Sequence, residues 1–447
     1  MPLPPLAGLA TYERAAQLGL DVERNVRRLL RAAWFEKRTM EVALYWLAST
    51  PEWELKEVLG LHARLDAEHV ARLRERIGEM RSPAPRMDVS PDERIDAFFG
   101  ELLSAATSFE KIVGFFGVLR PALYAAFQSH LEETNPLIDH PTNYLMQHLL
   151  LDQGGMADYA RRAVEATVIT PEERGRAEAW QSHLYAYLAA AGGVSGEDTV
   201  RGELPPTRVT APFVPDYFPV RDERFTQRWN FTNPQRQVSM NEAVPLDERT
   251  LALMCRRIVE MDVPEYMSRI VGETKGEPWE FYVDMTRQLW DEVRHSMLGT
   301  IYFEARGVDW KSAIAIHAGM SIRLHSLGVT EAHNVLYSIE QNLMPANTGK
   351  RLEYEISTNA GDKLAAQIQD YDWADEVLHV YIGRRRLLPK LDLKGAEAVR
   401  QGWDLRAKTA HILDDYASGE QKNWWPELVQ TALGRETAMT SFDLSRL

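Results

Sequence analysis

The sequence predicts an all-α protein. Three observations carry that expectation. Apolar residues recur at helical spacing through each long segment, proline and glycine clusters punctuate those segments, and nothing alternates convincingly with period two. In chain order the pattern gives helices over 22–48 and 52–80, divided at Ser49-Thr50-Pro51, with Pro51 just ahead of the second start. Residues 82–91 are polar and proline-rich and read as a loop. A long helical stretch follows over 92–134 around Pro121, then a turn at 136–141 and helices over 141–167 and 171–191. Between Gly192 and Pro245 prolines and glycines are dense and no period is sustained. Scattered aromatics there (Phe213, Tyr217, Phe218, Phe225, Trp229, Phe231) predict a linker that is ordered and packs over the surface. Helical periodicity resumes over 247–271, 279–306, 310–345 with an interruption near Gly328, and 361–386. A tail helix near 394–418 and a Trp-rich end close the pattern.

Composition bounds the function. A chain of 447 residues is long enough for two domains with large cores. Hydrophobic content of 45% and charged content of 26% are those of an ordinary soluble protein. The net charge of −14 argues against a nucleic-acid backbone or an anionic membrane as the main partner. One cysteine, Cys255, excludes an internal disulfide framework and a cysteine-based metal cluster. It lies on an apolar helical segment and reads as a small core residue. The start MPLPPLAGLATYERA lacks the basic end and apolar core of a signal peptide, and no apolar run approaches the ~20 residues of a membrane span. A cytoplasmic protein is therefore expected. No phosphate-binding loop, dinucleotide fingerprint or serine nucleophile elbow is present.

The chemistry concentrates in the stretch 372–381, DWADEVLHVY. Glu376 and His379 stand three apart on one helix face, so that one carboxylate oxygen and one imidazole nitrogen can reach the same metal. A second copy reads Asp291-Glu292-Val293-Arg294-His295. Upstream, Glu260 precedes Glu292 by 32 residues and Glu340 precedes Glu376 by 36, spacings that suit helix–turn–helix returns to one level. One glutamate from each of two helices and Glu-x-x-His from each of two others describe a dinuclear iron or manganese site inside a four-helix bundle. Oxygen donors with two nitrogens suit those metals, and the absence of thiolates disfavours structural zinc.

The first half echoes this pattern. Trp53 to Asp66 and Trp279 to Glu292 are both 13 residues, and Glu36-x4-Glu41 matches Glu260-x4-Glu265. Glu36, Asp66 and His69 thus occupy the positions of Glu260, Glu292 and His295, but the fourth helix offers Asp152-Gln153-Gly154 without a histidine. That half is expected to be metal-free, its leftover charges paired with arginines such as Arg64 or Arg72.

The runs QLWDEVRHSMLG and QDYDWADEVLHVYIG resemble the ligand helices of the ferritin-like di-iron carboxylate superfamily. The longer run ISTNAGDKLAAQIQDYDWADEVLHVYIG is similar to a bacterial oxidase-type branch of it. The resemblance covers 245–390, and 20–165 as a degenerate echo. It implies two ferritin-like four-helix bundles in tandem joined by an irregular linker. The domains would be a degenerate helical domain over 1–191, a linker over 192–245, a metal-binding bundle over 246–390 and a helical extension over 391–447. It further implies Glu260, Glu292, His295, Glu340, Glu376 and His379 as ligands of two iron ions, with manganese as an alternative. Asp291 and Asp375 each precede a ligand glutamate, and are expected to accept the free imidazole N–H of His379 and His295 respectively. Glu265 reads as a second-turn or surface charge, and Glu331 and Glu353 are substitutes for Glu340. His333, on the face of Glu340, reads as a hydrogen-bonded core histidine, with a third-histidine ligand or channel residue as the alternative. Asp372 and Tyr337 read as packing or buried hydrogen bonds, with an approach to the metals as the alternative.

The expected function is an O2-dependent oxidase or oxygenase acting on a small organic substrate. Dioxygen would be the co-substrate, and electrons would come from a donor protein or a reducing substrate; a homodimer is compatible with this. Three other readings stay open. One is metal handling or peroxide detoxification of the ferroxidase or rubrerythrin kind, one a non-catalytic ferritin-like scaffold, and one an RNA hydroxylase, which the acidic charge disfavours.

Overall fold

A computed structural model of the chain describes residues 3–197, 202–419 and 421–443. Residues 1–2, part of the expected linker (198–201) and parts of the expected C-terminal extension (420 and 444–447) lie outside the described residues. All regular structure among the described residues is helical, with no strand. The chain forms two compact units, Met1–Val42 with Leu65–Val214, and Ala43–Arg64 with Pro215–Leu447.

The first unit draws on helices α1 (Val22–Leu47), α2 (Trp53–Glu79), α3 (Glu93–Leu103), α4 (Ser108–Glu133), α5 (His140–Thr167) and α6 (Pro171–Ala190). The single stretch expected over 92–134 is two helices because the chain supplies a second start. Thr107 caps α4 by accepting the Glu110 N–H at 3.2 Å, as Asp92 caps α3 through the Arg94 N–H. At α6, Thr170 and Glu173 form a capping box with Pro171 in the first turn. Leu29 and Ala33 of α1, Leu73 of α2, Phe127 of α4 and Leu149 of α5 share one core. Against the expectation that no run approaches a membrane span, α4 is long and apolar enough to cross one, with a mean hydropathy of 1.2. Its charged residues Glu110, Lys111 and Arg120 break the run to the eye. Of that window 56% is buried, and Arg120 within it is fully buried against Asp66.

The second unit holds α7 (Leu246–Val259), α8 (Asp262–Glu273), α9 (Trp279–Glu304), α10 (Val329–Asn342), α11 (Lys350–Asn359), α12 (Lys363–Arg386), α13 (Gly395–Lys408) and α14 (Trp425–Leu433). The helix expected over 247–271 breaks at Glu260-Met261. The cause is Pro264, which has no N–H to give the Glu260 carbonyl four residues back. Val263 takes that carbonyl instead at 2.9 Å in a tighter turn, and a fresh helix starts. Helix α9 packs on α7, α8 and α12, and α10 packs on α8 and α12. The approach of α9 to α7 is close at Gly299, where an added Cβ would lie 2.6 Å from the Ile258 backbone nitrogen.

The two units cut across the expected domain boundaries. Residues 43–64, the tip of the α1–α2 hairpin, belong with the second unit because their side chains are spent there. Trp53 stacks on Phe225 with ring centroids 5.1 Å apart, and the Val220 N–H reaches the Ala48 carbonyl at 3.1 Å. The stretch expected as one linker divides at Val214–Pro215, and its second part is ordered around buried Tyr217 and Phe225. The C-terminal extension is also part of this unit. Trp424 and Trp425 are fully buried, and Glu248 on α7 accepts the Trp425 indole N–H at 3.0 Å and Arg435 at 2.9 Å.

Candidate metal centre

The six residues singled out as ligands fall in two adjoining groups inside the second unit. In the first, Glu292 (α9), Glu340 (α10), Glu376 and His379 (both α12) offer ligand atoms that all lie within 4.8 Å of one another. All four are at most 3% exposed. In the second, Glu260 at the α7 break and His295 (α9) are joined by Asp372 (α12), again within 4.8 Å. The groups touch, since His295 Nδ1 is 3.6 Å from Glu292 Oε2 and the two imidazoles are 5.9 Å apart.

Several buried atoms here lack a hydrogen-bond partner: both ring nitrogens of His379, Glu376 Oε2, Glu260 Oε2 and His295 Nδ1. Buried polar atoms are normally satisfied, so the orphans His379 Nδ1 and Glu376 Oε2, facing each other in the first group, mark a place for a ligand. His379 Nδ1 stands 3.2 Å from Glu292 Oε1 and 3.4 Å from Glu376 Oε2. On the far side of each ring stands an aspartate. Asp375 Oδ2 is 3.2 Å from His295 Nε2, and Asp291 Oδ2 is 3.5 Å from His379 Nε2, the outer limit of such a contact. Both aspartates are in turn held by Arg294, and Asp291 also by Arg287 at 2.8 Å.

The electrostatics follow from burial set against these partners. Burial would lower His379, but Asp291, Glu292 and Glu376 hold it well above the ordinary imidazole value. His295 is likewise raised, to about 10, by Asp372, Asp375 and Glu292 against burial. Glu340 is pushed well up by burial and by the charges of Glu376 and Glu292, while Gln288 donates to its Oε1 at 3.0 Å. Glu376 is held well down despite burial, because Lys350 Nζ lies 2.9 Å from its Oε1.

Three participants are not legible as such from the sequence, and Asp372 takes the alternative place beside the ligands. Lys350, 1% exposed, also holds both Asp372 oxygens at 2.9 Å and stands 3.7 Å from Glu260. Arg257, fully buried on α7, pairs with Asp372 and with Glu260 at 2.8 Å. Tyr266 on α8 has a buried hydroxyl with no hydrogen bond, raised well above the usual phenol value by burial and then by Glu340 and Glu292. A heptad scan would have placed Arg257 beside Glu260 one turn back, but no pattern announces Lys350.

Three other expectations resolve differently, while Tyr337 packs as expected. Glu265 is not a surface charge: it is fully buried between Lys56, 2.8 Å away, and Arg221. His333 is buried outside both groups, its Nε2 has no hydrogen bond, and burial followed by Lys390 lowers it to about 3. Tyr337 packs on Gly383, where a Cβ would meet its ring at 2.5 Å. Glu353, a substitute for Glu340, instead takes Arg256 at 2.6 Å.

In the first unit, Glu36, Asp66 and His69 also cluster closely enough for an ion. Here Asp66 already has a side-chain cation, while Glu36 Oε2 has no hydrogen bond. Arg120 grips both Asp66 oxygens, at 2.7 and 2.8 Å, with both side chains fully buried. The partner is therefore Arg120 from α4, in place of the expected Arg64 or Arg72. On α5 it is Gln153 that meets Glu36, at 2.6 Å, while Asp152 lies 3.3 Å from His69 Nε2.

In the second unit the donors of the first group fit one ion: three carboxylates and an imidazole, converging, buried and incompletely bonded among themselves. The second group fits a metal less well, because its carboxylates are already shared with Lys350 and Arg257. No family model, curated protein or solved structure matches this chain.

Proposed function

We propose that this chain is an O2-dependent oxidase or oxygenase of ferritin-like design, acting on a small organic molecule at an iron centre, with manganese as the alternative metal. In this reading the chain is two four-helix bundles in tandem, and only the second keeps metal chemistry. The observation that carries the proposal is the converging, buried Glu292–Glu340–Glu376–His379 group, with His379 Nδ1 and Glu376 Oε2 lacking hydrogen bonds. A redox-active iron held there would supply electrons to dioxygen and so an oxidant for the substrate. The protein's own contributions are distinct. Asp291 orients the His379 ring from behind, itself fixed by Arg287 and Arg294. Near-complete burial of the four donors keeps water from the reacting centre. Tyr266, kept protonated by its surroundings, is a buried phenol that senses the same carboxylates.

The test is anaerobic Fe(II) loading of the full chain, followed by mixing with O2 in a stopped-flow spectrometer. An O2-dependent absorbance change with O2 consumption is expected. Fewer than one iron per chain ends the metal reading. Metal without any O2 response turns the reading to a non-catalytic scaffold.

A further inference from the structure

We propose that the centre takes one metal ion, and that the Lys350 ammonium, backed by Arg257, stands where a second ion would sit. This rests on the reading of Glu292, Glu340, Glu376 and His379 as metal donors.

Position is the first argument. Lys350 Nζ lies 2.9 Å from each Asp372 oxygen, 2.9 Å from Glu376 Oε1 and 3.7 Å from Glu260 Oε1. These are the carboxylates that a second ion would need. Glu376 is shared in the manner of a bridging carboxylate: Oε1 faces the ammonium, while Oε2 has no hydrogen bond and lies 3.4 Å from His379 Nδ1. The bridge therefore runs from a metal position to an ammonium.

Charge is the second. Arg257 and Lys350 together bring two positive charges, as many as one divalent ion, and both contact Asp372 and Glu260. A divalent ion added to those carboxylates would meet both cations at contact distance in a dry interior, where like charges repel far more than in water.

Local structure is the third. Lys350 is the first residue of α11, the end of a helix that disfavours a cation. It is nevertheless buried, so its carboxylate partners must outweigh both costs. The preceding loop fixes it there. Gly349 has no room for a side chain, since a Cβ would lie 2.0 Å from the Leu343 carbonyl oxygen, and the Lys350 N–H donates to that carbonyl at 3.0 Å. The first unit shows the same kind of replacement at Asp66, where a guanidinium takes the carboxylate.

The test is metal stoichiometry of the full chain under anaerobic titration with Mn(II), counted by mass spectrometry and read by electron paramagnetic resonance. The wild type should bind one ion with an uncoupled spectrum. Lys350→Met, which keeps length and removes charge, should bind two ions with an exchange-coupled spectrum, and Lys350→Arg should remain at one. Two coupled ions in the wild type would overturn the proposal while sparing the metal reading. No ion in the wild type would overturn the metal reading itself and the proposal with it. A folded Lys350→Met protein, checked by circular dichroism, that still binds one ion also overturns it. If that variant does not fold, the wild-type count and spectrum alone decide.

Discussion

Asp66 and Arg120 are both fully buried and joined by two hydrogen bonds, so neither can lose its partner without leaving an unpaired charge away from water. Arg120→Leu should therefore destabilise the first unit by about 3–5 kcal/mol, and Asp66→Leu added to it should recover most of that loss. Denaturant unfolding of the two variants checks this, and a double variant no better than the single would contradict it. The metal assignment separates the two halves: His379→Ala should abolish metal binding, whereas His69→Ala should leave metal content unchanged. At this scale the sequence was informative where a residue type repeats at helical spacing, as for Glu292, His295, Glu376 and His379. It was silent on partners brought from elsewhere in the chain. Arg120 comes from α4 to meet Asp66, and Lys56 and Arg221 come from the hairpin tip and the linker to bury Glu265. Long-range ion pairs leave no periodic trace.

At the level of elements, the centre depends on how closely α9 approaches the α7 break. Gly299 permits it, because any side chain there would press on the Ile258 backbone, one residue beyond Arg257 and two before Glu260. Gly299→Ala should cost about 1–3 kcal/mol through overpacking, and should weaken metal binding by shifting α9, the helix that carries Glu292. Thermal unfolding and an anaerobic metal titration measure the two effects; a change in neither would mean that the helices can part freely. The long helices were legible because their apolar faces run for many turns, and α9 and α12 appear close to their expected limits. The break at Glu260 was missed because apolar periodicity continues through it, although Pro264 gave a local warning. Helix α11 was missed for the opposite reason. Its buried stripe is Lys350, Glu353, Ile356 and Ser357, mostly polar, so hydrophobic patterning could not reveal the element that delivers the second cation.

Over the whole molecule, buried histidines of two opposite kinds bear on the pH dependence of stability. His317 Nδ1 accepts the Gly319 N–H at 3.1 Å, and its Nε2 stands 3.1 Å from Asn233 Oδ1. That arrangement requires the neutral ring, and burial followed by Arg221 lowers it to about 4. His130, beside Asn25, is also lowered to about 4, chiefly by burial. For these groups the unfolded chain binds more protons than the folded one between the folded value and the ordinary ~6.5. Their contribution is complete above that ordinary value and is lost as pH falls toward 4, by up to about 3 kcal/mol for each ring. His69 behaves in the reverse sense. Glu36 and Asp152 raise it to about 9 against burial, so its contribution is complete below ~6.5 and fades as pH rises through 9. Comparing each variant with wild type isolates each ring from the many carboxylates that titrate at the same time. His317→Gln should lose stability at neutral pH yet gain on the wild type as pH is lowered from 6.5 to 4. His69→Gln should fall furthest behind at mildly acid pH and draw level as pH approaches 9. Calorimetric unfolding of both variants across that range tests the signs, and parallel curves for wild type and variants would show that these rings do not titrate as their surroundings dictate.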